Sequence, residues 1–244
     1  MIDPLQAIPR PIRTVGRRTL QRLGLELVRN PFSHRLVALT RGRGIRTILD
    51  IGANQGQYAR GLRAAGYRDT IVSVEPLSEA FHVLAKHAST DPRWHCVHAA
   101  ASDRTGTLTV NVSGNSVSSS VLPMLASHQD AAPQSAYIGT EEVRAVVVDD
   151  LVVDRALDPE ETMLKIDVQG FESAVLDGAS RHLGRLAAVQ MELSLIPLYG
   201  GQQLMPAFVD RMARQGFDLW LLEPGFTEPG SGRLLQCDGV FVKT

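Results

Sequence analysis

From residue 47 onward the chain alternates short apolar runs of strand length with stretches of helical periodicity, and this alternation constrains the fold more than any other feature. Residues 47–51 (Thr47-Ile48-Leu49-Asp50-Ile51) read as a buried strand, 57–65 as a helix stopped by Gly66, and 70–74 as a second strand ending at Glu75-Pro76. A helix over 78–87 follows, with Ser78 as its expected N-cap, then a strand over 94–99. Further strands are expected at 163–167, 188–193, 217–222 and 239–243, with helices at 171–183 and 204–215. Residues 107–112 and 143–148 are expected to pair with each other across a Ser-, Ala- and Pro-rich stretch, 113–140. Strands separated by helices predict a mainly parallel α/β sheet covered on both faces. The last two strands are linked by a Pro/Gly-rich segment without a helix, which suits an antiparallel pair.

Composition narrows the class. An apolar fraction of 44% with 21% charged residues excludes a disordered chain, a collagen-like repeat and a coiled coil. The net charge of −1 conceals a split: residues 1–46 carry +8 through ten arginines, and the remainder carries −9. Only three of the 25 basic residues are lysines, a bias that GC-rich codon usage explains as well as function does. Two cysteines, Cys96 and Cys237, make neither a disulfide framework nor a cysteine zinc site. No apolar run approaches the ~18 residues of a membrane span, no secretory signal is recognisable, and Pro4, Pro9 and Pro11 break a transit-type helix. A cytoplasmic location is expected.

The turn Asp50-Ile51-Gly52-Ala53-Asn54-Gln55-Gly56 joins the first strand to its helix, where doubly wound sheets bind ligands. Gly52 permits close backbone approach, Asn54 tolerates a left-handed conformation, and Gly56 allows tight packing of the helix start. The G-x-G-x-x-G fingerprint of dinucleotide binding is not met. Asp50 would repel a diphosphate but suits the cationic amino group of S-adenosylmethionine, and Glu75 is placed to accept two ribose hydroxyls.

The run Leu49–Tyr58 (LDIGANQGQY), Val74-Glu75-Pro76, Ala100-Ala101-Ser102-Asp103 and above all Lys165-Ile166-Asp167-Val168-Gln169-Gly170-Phe171-Glu172 resembles the FkbM family of S-adenosylmethionine-dependent O-methyltransferases. Asn115 with Ser118-Ser119-Ser120, and Gln236-Cys237-Asp238, also resemble that family. The similarity spans about 45–244. It implies a Rossmann-like class I methyltransferase fold: a mainly parallel seven-stranded sheet with an antiparallel last strand. It also implies methyl transfer to a hydroxyl, commonly on a sugar or polyketide-derived product. By this resemblance Asp50, Gly52, Asn54, Gly56 and Glu75 line the cofactor, with Ala100 and Ser102 near its adenine.

Three carboxylates are expected at the carboxyl edge of the sheet as candidates for the catalytic base: Asp167 first, then Glu192, and Asp238 just before the final strand. Asp167 has a rival role as cap of the following helix. Lys165 shares a strand face with Asp167 and needs a partner if buried, Glu192 or Glu75 being the expected ones. His128 is an alternative base. Mg²⁺ on Asp167 and Glu192 is compatible with the sequence but not required by it. Residues 115–120 and 198–201 are expected to overhang the site, with Tyr199 available to stack on a sugar ring. Residues 1–44 are expected as a basic helical arm attached to a methyltransferase domain, 45–244. Over 12–29 the arm alternates arginines with apolar residues, suiting either a helix on the core or peripheral contact with an anionic membrane. Nucleic acid is disfavoured because the strand over 163–167 ends in Asp-Val-Gln-Gly rather than an Asn/Asp-Pro-Pro-aromatic motif. The expected acceptor is a small molecule or glycolipid. An NAD-linked oxidoreductase and a non-catalytic nucleotide-binding module are the alternatives, and oligomeric state is not set by the sequence.

Overall fold

A computed structural model describes residues 31–244. The amphipathic pattern at 12–29 lies outside the described residues. Helix α1 (Pro31–Gly42) opens the described chain and buries Phe32, Leu36, Val37 and Leu39, leaving Arg35 and Arg41 exposed. The chain then runs β1 (Thr47–Ile51), α2 (Gln57–Ala65), β2 (Thr70–Glu75), α3 (Ser78–Ala88) and β3 (Trp94–His98). An excursion follows through β4 (Ala100–Ser102), β5 (Gly106–Ser113), α4 (Ala126–Ala131) and β6 (Tyr137–Val147). It returns through α5 (Val148–Asp154), β7 (Thr162–Ile166), α6 (Glu172–Asp177), β8 (Ala188–Ser194), α7 (Met205–Arg214), β9 (Phe217–Pro224) and β10 (Gln236–Lys243).

Seven strands form one sheet in the order β3-β2-β1-β7-β8-β10-β9, and β10 runs antiparallel to both neighbours. In a second sheet, β4-β6-β5, residues 107–112 do pair with β6, antiparallel, but opposite 139–144. Of the expected partners 143–148 only Val143 and Arg144 face them, since 145–147 pair with β4 and Val148 begins a helix. Period-2 alternation divides the large sheet into two faces. Ile48, Ile71, Met163, Ala188 and Val240 pack under α1, α2 and α3, whereas Leu49, Val72, Leu164, Val189 and Phe241 pack with α5, α6 and α7. Each of these side chains other than Ala188, fully buried, contributes ~1.5–3 kcal/mol.

One row departs from this pattern. Ser73, Asp50, Lys165 and Gln190 stand in register on β2, β1, β7 and β8, all buried on the α2 face. A polar line across an apolar sheet is stable only if its members satisfy one another.

Local chemistry explains the helix ends and three differences from expectation. Gly66 closes α2 at φ 102°, donating to Arg63 O while Tyr67 N donates to Leu62 O, the double bond of a Schellman end. Ser78 is the first residue of α3 rather than its cap; its N–H and hydroxyl both donate to Glu141 of β6, so the cap comes from the second sheet. The helix expected over 171–183 stops at Asp177. Gly178 lies so close to β4 that a Cβ there would sit 2.1 Å from Ser102 O, and the Asp149 carboxylate takes the N–H groups of Arg181 and His182. Asp238 lies within β10, opposite Glu192, because that strand begins two residues before it.

Candidate active site

A cavity of about 420 Å³ opens at the carboxyl edge of the parallel strands. Its first wall is the turn after β1. Gly52 has φ 75°, and a Cβ on it would fall 1.8 Å from the backbone oxygen of Asp167, so the turn is pressed directly against the end of β7. Asn54 takes the left-handed conformation at φ 47°, and its N–H donates to Glu75 Oε2 at 2.7 Å. Glu75 Oε1 accepts from Leu77 N at 3.0 Å. The carboxylate therefore stands at the end of β2 on two backbone donors, lining the cavity. Burial pushes its pKa up to about 7 despite those bonds.

Gly56, Asp50 and Ser102, which the resemblance placed at or near the cofactor, do not line the cavity. Gly56 takes the packing role expected of it: a Cβ there would meet the Trp94 ring at 2.8 Å. Asp50 lies wholly buried beneath the turn, its Oδ1 3.1 Å from Lys165 Nζ and its Oδ2 accepting from Ser73 Oγ at 3.0 Å. Its negative charge is thus directed at lysine. Lys165 donates to Gly52 O at 3.1 Å and sits 5.2 Å over the Tyr58 ring, supporting the turn from below. Asp167 Oδ2 lies 3.5 Å from the same ammonium, so Asp50 and Asp167, rather than Glu192 or Glu75, are the ion-pair partners of Lys165. Ala100 lines the cavity with Ala99 and Ala101, whereas Ser102 turns away and donates to Asp103.

The opposite wall is carboxylate-rich. Asp167 and Asp238 line the cavity, and Glu192 stands behind them. The Gln169 side-chain NH₂ donates to Asp167 Oδ1 at 2.9 Å and to Glu192 Oε2 at 2.8 Å, joining the two acids. Gln236 donates to the same Glu192 oxygen at 2.7 Å. Burial, reinforced by Asp167, Glu172 and Asp238, holds the Glu192 pKa well above the usual carboxylate range. Burial also raises that of Asp238, against a hydrogen bond from Gln190 at 3.0 Å. The helix after Gly170 has no side-chain cap, so Asp167 does not take the capping role expected of it. Glu172, the first residue of α6, braces the preceding turn, its Oε1 accepting from Val168 N and Gly170 N, and burial raises its pKa to about 7.

Ser116, Val117, Ser119 and Ser120 line the cavity as expected of an overhanging loop. Tyr199 does not: it is fully buried, packs against Gly170 and donates to Gln169 Oε1 at 2.9 Å, so no sugar ring can stack on it here. His128 is also buried away from the cavity, 5.1 Å edge-on to the Tyr199 ring, and burial lowers its pKa. Among the described residues no group of three or more His, Cys, Asp and Glu side chains could hold a metal ion. The Gln169 NH₂ already occupies the bridging position between Asp167 and Glu192 that Mg²⁺ would need.

A model of the methyltransferase FkbM domain matches residues 50–219, more than half of the chain. The chain belongs to the FkbM methyltransferase family. No curated protein matches it. Among solved structures it is similar to a TehB-like SAM-dependent methyltransferase from Corynebacterium glutamicum, at 14% identity over 96% of this chain and 97% of that one, TM-score 0.41. It is also similar to an rRNA methylase from Streptococcus thermophilus (10% identity, 89% and 99% covered, TM-score 0.48). A third is a precorrin-6y C5,15-methyltransferase from Geobacter metallireducens (11% identity, 89% and 91% covered, TM-score 0.44).

This FkbM methyltransferase is therefore an S-adenosylmethionine-dependent enzyme on a Rossmann-like class I fold, which displaces the oxidoreductase alternative. Its cavity fits the cofactor. Glu75 offers a buried carboxylate to a diol, Ala99–Ala101 offer an apolar wall, and Asp167, Asp238 and Glu75 outnumber Lys165 where a cationic ligand must bind. Sequence reasoning missed Gln169, Gln190 and Tyr58. The available signal was alternation: Gln190 shares its strand face with Glu192 and stands in register with Lys165.

Proposed function

We propose that this FkbM methyltransferase methylates a hydroxyl, on a sugar of a glycolipid or glycosylated natural product. The observation that carries this reading is the pair Asp167–Glu192, tied by one amide beside the cavity with Asp238 opposite. Bound S-adenosylmethionine supplies an electrophilic methyl group on a sulfonium, and an alcohol must lose its proton as it attacks. Asp167, lining the cavity at the junction of both walls, takes that proton; a positioned base typically contributes ~10²–10⁴-fold. Asp238 accepts a hydrogen bond from the acceptor and aims it, and Glu192 anchors Gln169. Asn54, Ser116, Ser119, Ser120 and Gln169 give the cavity the hydrogen-bonding rim that a polyhydroxylated acceptor needs. Val117, 52% exposed at that rim, suits an apolar aglycone.

No helix among the described residues is long and apolar enough to cross a membrane. Peripheral delivery of a lipid-linked acceptor is assigned to the arginine-rich residues 1–30, which lead directly into α1, where Phe32 and Ser33 line the cavity. The test is transfer of a labelled methyl group to a panel of free sugars, glycolipids and matched amines, with the product located by NMR. The expected product is a methyl ether on a sugar carbon. Transfer to nitrogen, or to none of the glycosides, overturns the reading.

A further inference from the structure

Two tyrosines outside the acid cluster end in the same arrangement. Tyr199 OH donates to Gln169 Oε1 at 2.9 Å, and the Gln169 NH₂ donates to Asp167 and Glu192. Tyr58 OH donates to Gln190 Oε1 at 2.7 Å, and the Gln190 NH₂ donates to Asp238 Oδ1 at 3.0 Å. Each glutamine has a tyrosine hydroxyl at its carbonyl end and, at its amino end, a carboxylate that lines the cavity, Asp167 or Asp238. The two relays come from different elements: Tyr199 from the loop after β8, Tyr58 from α2.

The geometry points to Tyr199 and Tyr58 as positioning residues that, through Gln169 and Gln190, set the orientation and proton affinity of the carboxylates facing the acceptor. A side-chain amide presents donors at one end and an acceptor at the other, whereas an ionised carboxylate only accepts. An amide whose NH₂ faces the carboxylates stabilises their charge; one turned by 180° sets oxygen against oxygen. A hydroxyl donating to the amide carbonyl satisfies the end that would otherwise be buried without a partner. The Gln169 relay is held further by its backbone: residue 169 is left-handed at φ 55°, and its carbonyl accepts from Ser120 Oγ at 2.6 Å. Ser118 O lies 3.2 Å from the same Tyr199 hydroxyl, so the ring packs beside the serine loop over the cavity. This assignment rests on and deepens the O-methyltransferase reading, because it concerns Asp167, proposed to receive the acceptor's proton, and Asp238, proposed to aim the acceptor.

The test is a carboxyl-carbon NMR titration of the ligand-free protein labelled at aspartate and glutamate, with Asp167→Asn, Glu192→Gln and Asp238→Asn identifying the resonances. The groups facing Glu192 are Asp167, Glu172, Asp238 and Lys165, and those facing Asp238 include Asp167, Lys165 and Glu223. Tyr199→Phe is expected to raise the Glu192 midpoint by about half a pH unit to one unit, the size of one lost hydrogen bond. Gln169→Leu is expected to raise it further, and the double variant to match Gln169→Leu alone, since the tyrosine acts through the amide. A midpoint unmoved by Tyr199→Phe, or additive shifts in the double variant, overturns the proposal. Tyr58→Phe with Gln190→Leu repeats the cycle at Asp238, so loss of folding in one relay leaves the other decisive. The titration needs no acceptor, so Asp167→Asn retaining full turnover would sink the base assignment without touching this result.

Discussion

The two walls of the cavity are made differently. At the ends of β1 and β2 the chain uses backbone: left-handed Gly52 and Asn54, two N–H groups on Glu75, and three alanines. At β7, β8 and β10 it uses side chains: three carboxylates held by three glutamine amides. A wall of backbone has no side chains to exchange, which suits a constant ligand such as the cofactor. A wall of side chains can change identity without moving the chain, which suits whatever varies, namely the acceptor.

The sharpest way to break this contrast is Gly52→Ala, at the seam. The added Cβ would meet Asp167 O at 1.8 Å on a backbone at φ 75°. We expect cofactor affinity by calorimetry to fall about 100-fold or more, with Tm lower by roughly 5–10 °C. Binding close to wild type would mean that the wall is not a rigid backbone cradle.

Asp167→Asn tests the other wall. It should lower kcat by ~10²–10⁴-fold while leaving cofactor Kd within about threefold, because the asparagine keeps the shape and loses the base. Equal losses in both would show that the walls are not separable.

The smallest effect is a pH dependence. Glu75 and Glu172 titrate near 7 in the folded protein, above 4.5 for a free glutamate, so the folded state keeps protons that the unfolded chain has released. Stability of the ligand-free protein should therefore fall as pH rises from about 4.5 to 7, and level off above. Cofactor affinity should move the opposite way, improving a few-fold through pH 7 as Glu75 ionises to receive two hydroxyls. Glu75→Gln should remove that dependence, and its persistence would assign it elsewhere.

The backbone wall was legible in the sequence because its logic is local. Gly52, Asn54 and Glu75 lie in a strand–turn–helix and at the next strand end, where glycine and alternation announce position. Asp167 and Asp238 were legible as strand-edge acids. What each acid touches was not. Lys165 was assigned to Glu192 or Glu75 and pairs with Asp50, its neighbour in register on β1. Tyr199 sits in an exposed-looking Leu-Tyr-Gly-Gly run and is buried, since Gly170 leaves room for its ring. Helix α5 was not anticipated and α6 is shorter than expected; α6 stops where Gly178 presses against β4, and Asp149 of α5 accepts from the N–H groups of Arg181 and His182 beyond it.

By itself, then, the sequence determined the alternating sheet, the antiparallel β10, the glycine turn and the family, all of which rest on periodicity and short-range steric rules. Only the tertiary structure decided which charges meet. Strand order brings β1, β7 and β8 side by side although more than a hundred residues separate their first and last members. Hydrogen bonds between side chains depend on that adjacency at the scale of ångströms, and no local pattern encodes it.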